Sequence, residues 1–270
     1  MLTRCKLIPM LLGLCMFFGC QTNENPDDAV SDNTENLDIC YSVGQSYLTT
    51  RTMLTEEETA EGAVKIYKYD RYFTVVDALD SENTPVAGRR MYEESFFEVS
   101  GQRSLRGTGV FQGKAIIFKP DSIPSVEGNP VEDKYTSGLR LTGFEHIFLP
   151  ARVRSDKHYH LVELAESEKR IMRNFLTQLG IVPDKSVISV KVARSTEQNV
   201  ELQFIWNVSG IILEKKGVGV RLKFSGKIKY SREYCGITYF ELVQSSDNDK
   251  NSTLRLIINR DFTKTYKNGK

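Results

Sequence analysis

Between residues 188 and 258 apolar and polar side chains alternate, run after run. Ile188, Val190 and Val192 form one row, and Val200, Leu202, Phe204 and Trp206 a second. Val220, Leu222, Phe224, Ile228 and Tyr230 follow, then Ile237, Tyr239 and Val243, then Leu254, Leu256 and Ile258. A period of two places each row on one face of an extended strand, so that one side of a sheet is buried and the other wetted. The links at 195–199 and 214–217 are short, which suits antiparallel neighbours in a meander or sandwich.

Upstream, residues 64–69 and 72–76 are rich in β-formers, and residues 91–100, 105–118 and 139–148 read as further strands. Thr55 followed by Glu56, Glu57 and Glu58 has the pattern of a capped helix start running to Gly62. Residues 120–134, with Pro120, Pro124, Gly128, Asn129 and Pro130, read as a long loop and a candidate rim of a binding surface. Leu161, Leu164, Ala165, Ile171, Met172, Phe175, Leu176 and Leu179 recur at helical spacing, with Ser155 or Asp156 as cap and Gly180 as stop. The expected fold is mainly β, in the α+β class. It has two antiparallel β-sheet modules, residues 40–150 and 151–270, joined through one long amphipathic helix.

The amino-terminal stretch carries an address. Arg4 and Lys6 precede an apolar run over residues 7–18, and Gly19-Cys20 is followed at once by polar residues. That is the layout of a secretory signal over residues 1–19, and the run is too short for a spanning helix. Phe17-Phe18-Gly19-Cys20 resembles the lipobox of bacterial lipoproteins. The resemblance implies cleavage before Cys20 and lipidation of its thiol and new amino group, with palmitate-type chains holding the protein in a membrane. Gln21 after the cysteine is similar to lipoproteins sorted to the outer membrane. The tether at 20–39 resembles those of surface lipoproteins of the Bacteroidetes type; it holds Glu24, Asp27, Asp28, Asp32, Glu35 and Asp38 without a base, a composition expected to stay disordered.

The net charge of +1 argues against a generic nucleic-acid binder. With Cys5 and Cys15 in the leader and Cys20 lipidated, Cys40 and Cys235 remain. An even pair in an oxidising compartment reads either as a disulfide or as two separate buried thiols.

Arg221, Lys223, Lys227 and Lys229 alternate with an apolar row, forming a cationic ribbon that suits an anionic glycan or a partner's acids, or simply a wet sheet face. Trp206 reads as a sugar-stacking ring or, given its row, as core. His146, His158 and His160, with Glu145, Asp156 and Glu163 near them, are weak zinc candidates, since His158 and His160 do not share a helical face. No phosphate-cradling loop, Cys-x-x-Cys pair or nucleophile elbow is found, and no cofactor is expected.

The expected function is therefore a non-catalytic binding or structural role at the outer membrane or cell surface. Two rivals stand beside it. One is a fimbrial assembly subunit: the layout is similar to two-sandwich fimbrial precursors, a resemblance that implies cleavage after an arginine and singles out Arg51. The other is a hydrolase acting on glycans.

Overall fold

Hydrogen bonding between long alternating strands organises the chain, as a computed structural model shows for residues 34–81, 83–104, 107–120, 122–132, 141, 143–213, 218–245 and 252–266. In chain order the strands are β1 (Thr34–Asn36), β2 (Ser46–Thr59), β3 (Gly62–Leu79), β4 (Pro85–Val99), β5 (Gln102–Ser104), β6 (Ala115–Phe118), β7 (Ser125–Val126) and β8 (Asn129–Pro130). There follow β9 (Arg152–Arg154), β10 (His160–Leu161), helix α1 (Glu166–Gln178), β11 (Ile181–Ser195), β12 (Asn199–Ile212), β13 (Gly219–Ser231), β14 (Gly236–Ser245) and β15 (Ser252–Asp261). Two 3₁₀ turns lie at Gly107–Phe111 and Phe144–Phe148.

Thirteen strands form one sheet in the order β10-β11-β12-β13-β14-β15-β2-β3-β4-β6-β7-β8, with β5 beside β4; β1 and β9 pair separately. The long neighbours are antiparallel throughout. The stretches 40–150 and 151–270 meet edge to edge, because β15 pairs with β2 from Ser252–Glu57 to Asp261–Leu48. The described residues from Thr34 onward form one compact unit. The join is thus a ladder of backbone hydrogen bonds, while α1 lies against β11 and the turn at Phe144–Phe148.

Side chains decide which face is inner. On β12, Val200, Leu202, Phe204, Trp206 and Val208 are buried, as are Leu222, Phe224, Ile228 and Tyr230 on β13. Phe144, Phe148 and Phe175 close over this face: Phe144 stacks on Phe175 at 4.3 Å, and Phe148 lies 4.6 Å from Phe204. A second cluster, around Tyr72, Tyr92, Phe111, Ile116, Phe118, Val131 and Leu141, packs on the far half of the sheet.

Several sequence expectations are corrected. Residues 55–59 are strand, because Thr55 and Glu56 pair with Ile66 and Lys65 on one side and with β15 on the other, and these ladders outweigh a helix-start pattern. Residues 144–148 form a 3₁₀ turn rather than a strand. The helix begins at Glu166, since His160 and Leu161 are drawn into β10 opposite Val190 and Ser189. Glu168 accepts the Ala165 N–H at 2.7 Å, half of a capping box, and Gly180 ends the helix at φ 75°. On β14 the inward row is Ile237, Phe240 and Leu242, with Tyr239 and Val243 on the outer face. The cause is a bulge at Thr238, where the register steps from Lys229–Tyr239 to Tyr230–Ile237 and one extra residue swaps the faces.

The acidic segment also changes character before its expected end. Thr34–Asn36 pairs with Arg152–Arg154, Leu37 is 1% exposed, and Glu35 forms an ion pair with Arg232. A disordered tether reaching residue 39 therefore does not hold for residues 34–39. Cys20 and the remainder of the tether lie outside the described residues, as do positions 121, 133 and 134 of the expected loop at 120–134. Within that loop, β7 and β8 pair as a small hairpin.

Candidate functional site

Strand alternation puts two chemically different surfaces on the sheet. On the inner face, between the two apolar clusters, runs a buried polar seam. Arg51 on β2 stands opposite Asp70 on β3, which stands opposite Ser95 on β4. The Arg51 Nε donates to Asp70 Oδ2 at 2.9 Å, and Ser95 Oγ donates to Asp70 Oδ1 at 2.6 Å. Asp70 is 0% exposed and Ser95 1%. Arg90, 4% exposed, lays its guanidinium 4.4 Å from the Tyr72 ring centre and 5.5 Å from that of Phe118. Burial, and after it the Arg51 charge, hold the Lys68 ammonium below the usual lysine range.

The seam continues at Phe144–Phe148. Glu145, 1% exposed, pairs with Arg260 of β15, and His146 Nε2 lies 3.1 Å from Tyr41 Oη and 3.3 Å from an Arg260 nitrogen. Burial lowers the His146 pKa from 6.5 to about 4, so the ring is neutral at ordinary pH. The partners within the seam give it the chemistry of a set of internal ion pairs and hydrogen bonds. Sequence reasoning missed this seam because charged residues on a strand read as solvent-facing. The signal available was parity: Arg51 and Asp70 share a face with Tyr47 and Tyr72, both buried.

The outer face presents the cationic ribbon. Arg221, Lys223, Lys227 and Lys229 are all exposed on β13, alternating with the buried row. At about 3.3 Å per residue, Arg221 and Lys229 lie roughly 26 Å apart along the strand. Lys229 reaches Glu201 at 3.3 Å across to β12. Lys185, Val187, Asn207, Ser209, Arg221 and Lys223 line an open depression of about 410 Å³ on β11–β13. Glu241, across from Lys227, is engaged by Arg255 at 2.7 Å.

Trp206 is not at this surface. It is 0% exposed, stacks on Phe224 at 4.6 Å and donates its indole N–H to Ser186 Oγ at 2.6 Å. The histidines are not brought together either. His146 is in the buried seam, whereas His160 Nε2 meets Asp156 Oδ1 at 2.8 Å near the surface. Among the described residues no group of three or more His, Cys, Asp or Glu side chains is arranged to hold a metal ion. Arg51 sits mid-strand between β15 and β3, so the peptide bond after it is flanked by ladders on both sides. Cys40 and Cys235 do meet: the Cys40 N–H donates to the Cys235 carbonyl at 3.0 Å, and both thiols stand unbonded.

Fold and site together define an antiparallel β protein with a packed inner face and a solvated basic outer face. No family model and no curated protein matches the chain. Among solved structures it is similar to DynF from the dynemicin biosynthesis pathway of Micromonospora chersina. That likeness has 6% identity over 84% of this chain and 83% of that one, with a TM-score of 0.21. Among the described residues no helix is long and apolar enough to cross a membrane.

Proposed function

We propose that the protein is held by lipid at Cys20 to a bacterial outer membrane and that its body has a non-catalytic binding role at the cell surface, using the basic outer face to hold an anionic glycan. One observation carries the binding part: four cations, Arg221, Lys223, Lys227 and Lys229, stand exposed along one strand beside an open depression. A linear row of solvated cations matches the charge spacing of an extended polyanion better than that of a compact ligand, and attraction of this kind weakens as salt is added. The inner face supports the non-catalytic part, because its aromatic side chains pack on one another and its charged groups have internal partners. The lipid part rests on the Phe17-Phe18-Gly19-Cys20 resemblance. The two-module arrangement is read as two halves of one sheet, each with its own apolar cluster.

The test uses protein with Cys20→Ser, purified and passed over immobilised polygalacturonate, with neutral dextran as control. Retention on the acidic glycan that is lost with added salt, and reduced at least tenfold in Arg221→Glu/Lys223→Glu/Lys227→Glu, is the expected result. Equal retention of the two proteins, or release of sugars from the glycan, would reject the reading. For the anchor, wild-type cells incorporate labelled palmitate into the protein and Cys20→Ser cells do not.

A further inference from the structure

We propose that Cys40 and Cys235 are joined by a disulfide in the mature protein, and that this bond fastens the segment leading in from the tether to the body of the sheet. The proposal rests on the reading of the chain as exported to an oxidising compartment.

The geometry is that of a ready pair. Cys40 lies just before β2, and Cys235 lies in the turn between β13 and β14, 195 positions further on. The Cys40 N–H donates to the Cys235 carbonyl at 3.0 Å, which brings the two backbones into direct contact. A disulfide spans Cα separations of about 4.4–6.8 Å, the scale on which residues joined by a backbone hydrogen bond meet. Each thiol now leans on a backbone carbonyl, Cys40 Sγ 3.8 Å from the Asp38 oxygen and Cys235 Sγ 3.7 Å from the Arg232 oxygen, and the Cys235 thiol is the first cause raising the Cys40 pKa to about 11. Cys40 is exposed and Cys235 partly so, which leaves the pair open to an oxidant.

The surrounding contacts hold the segment in place before the bond forms. Tyr230 donates its hydroxyl to the Asp38 carbonyl at 2.6 Å, Leu37 N–H donates to the Ala151 carbonyl at 2.8 Å, and Glu35 pairs with Arg232. Every one of these can open without breaking a covalent bond. Load on an anchored tether would enter the fold through this segment and peel it from residue 34 onward. A bond at Cys40 stops the peeling before β2, which is central in the sheet.

Formation needs an oxidant, and a thiol–disulfide oxidoreductase in its oxidised form supplies it. The exposed Cys40 thiolate attacks one sulfur of the catalyst's disulfide, giving a mixed disulfide and releasing one catalyst thiolate. The Cys235 thiolate then attacks the Cys40 sulfur and expels the second. One S–S bond breaks and one forms, the substrate's two thiol protons are transferred, and its two electrons end in the catalyst's dithiol. The high pKa of the Cys40 thiol makes the uncatalysed exchange slow.

Two arms test the proposal and keep it apart from the export reading. In the first, purified Cys20→Ser protein is equilibrated in a glutathione redox buffer, alkylated and digested without reductant. A peptide pair joining Cys40 to Cys235 is expected, lost on reduction and in Cys40→Ser. Failure to form it, or a linked dimer in its place, overturns the geometry. In the second, wild-type protein is taken from cell membranes under alkylating conditions. Blocked uptake at Cys40 and Cys235 until reductant is added is expected. Free thiols there, with a bond that forms readily in the first arm, would overturn the native disulfide through the export reading, leaving the geometry standing.

Discussion

Arg51 and Asp70 face each other across β2 and β3 with a 2.9 Å hydrogen bond from Nε, and Asp70 is 0% exposed. A carboxylate this buried is tolerated because Arg51 and Ser95 hydrogen-bond both its oxygens. Removing one partner leaves a buried charge. Asp70→Ala is expected to cost about 3–5 kcal/mol, and Arg51→Met/Asp70→Leu to recover most of that loss. Urea unfolding of the single and double variants measures both.

His146 makes stability depend on pH. Its folded value of about 4 lies below 6.5, so the unfolded chain binds the proton more readily. Its contribution is complete above about pH 6.5 and falls away as pH drops towards 4, by roughly 3 kcal/mol in all. The groups facing it are Tyr41, Glu145 and Arg260. Denaturation midpoints across that window are expected to flatten in His146→Gln.

The single tryptophan reports on the core. Trp206 is fully buried between Phe224 and the Phe144–Phe148 turn. Its emission is expected to be blue-shifted when folded and to move to the red in urea. Trp206→Ala should cost about 3–5 kcal/mol.

Gly226 lets the Phe204 ring pass. A Cβ there would stand 1.9 Å from the Glu241 carbonyl and 2.3 Å from the Phe204 ring. Gly226→Ala should destabilise by about 3 kcal/mol, the upper range for overpacking. A thermal melt compared with Ser225→Ala, on the exposed face, checks it.

Charge reversal of Arg221 or Lys223 should alter stability by no more than about 0.5 kcal/mol, because both are exposed. A melting curve separates this from any effect on glycan retention.

The rows Val200–Trp206 and Val220–Tyr230 were legible as strands because apolar residues repeat every two positions, and the exposure of the β13 cations followed from the same count. Gly180 was legible as a helix stop because only its φ of 75° was needed. Local pattern thus determined the β class, the antiparallel links and the parity of most residues. Tertiary structure alone decided that β15 pairs with β2 and that residues 55–59 extend rather than coil. Pairing between distant strands, and the choice of which face meets a core, depend on partners far away in the chain, and no local period encodes them.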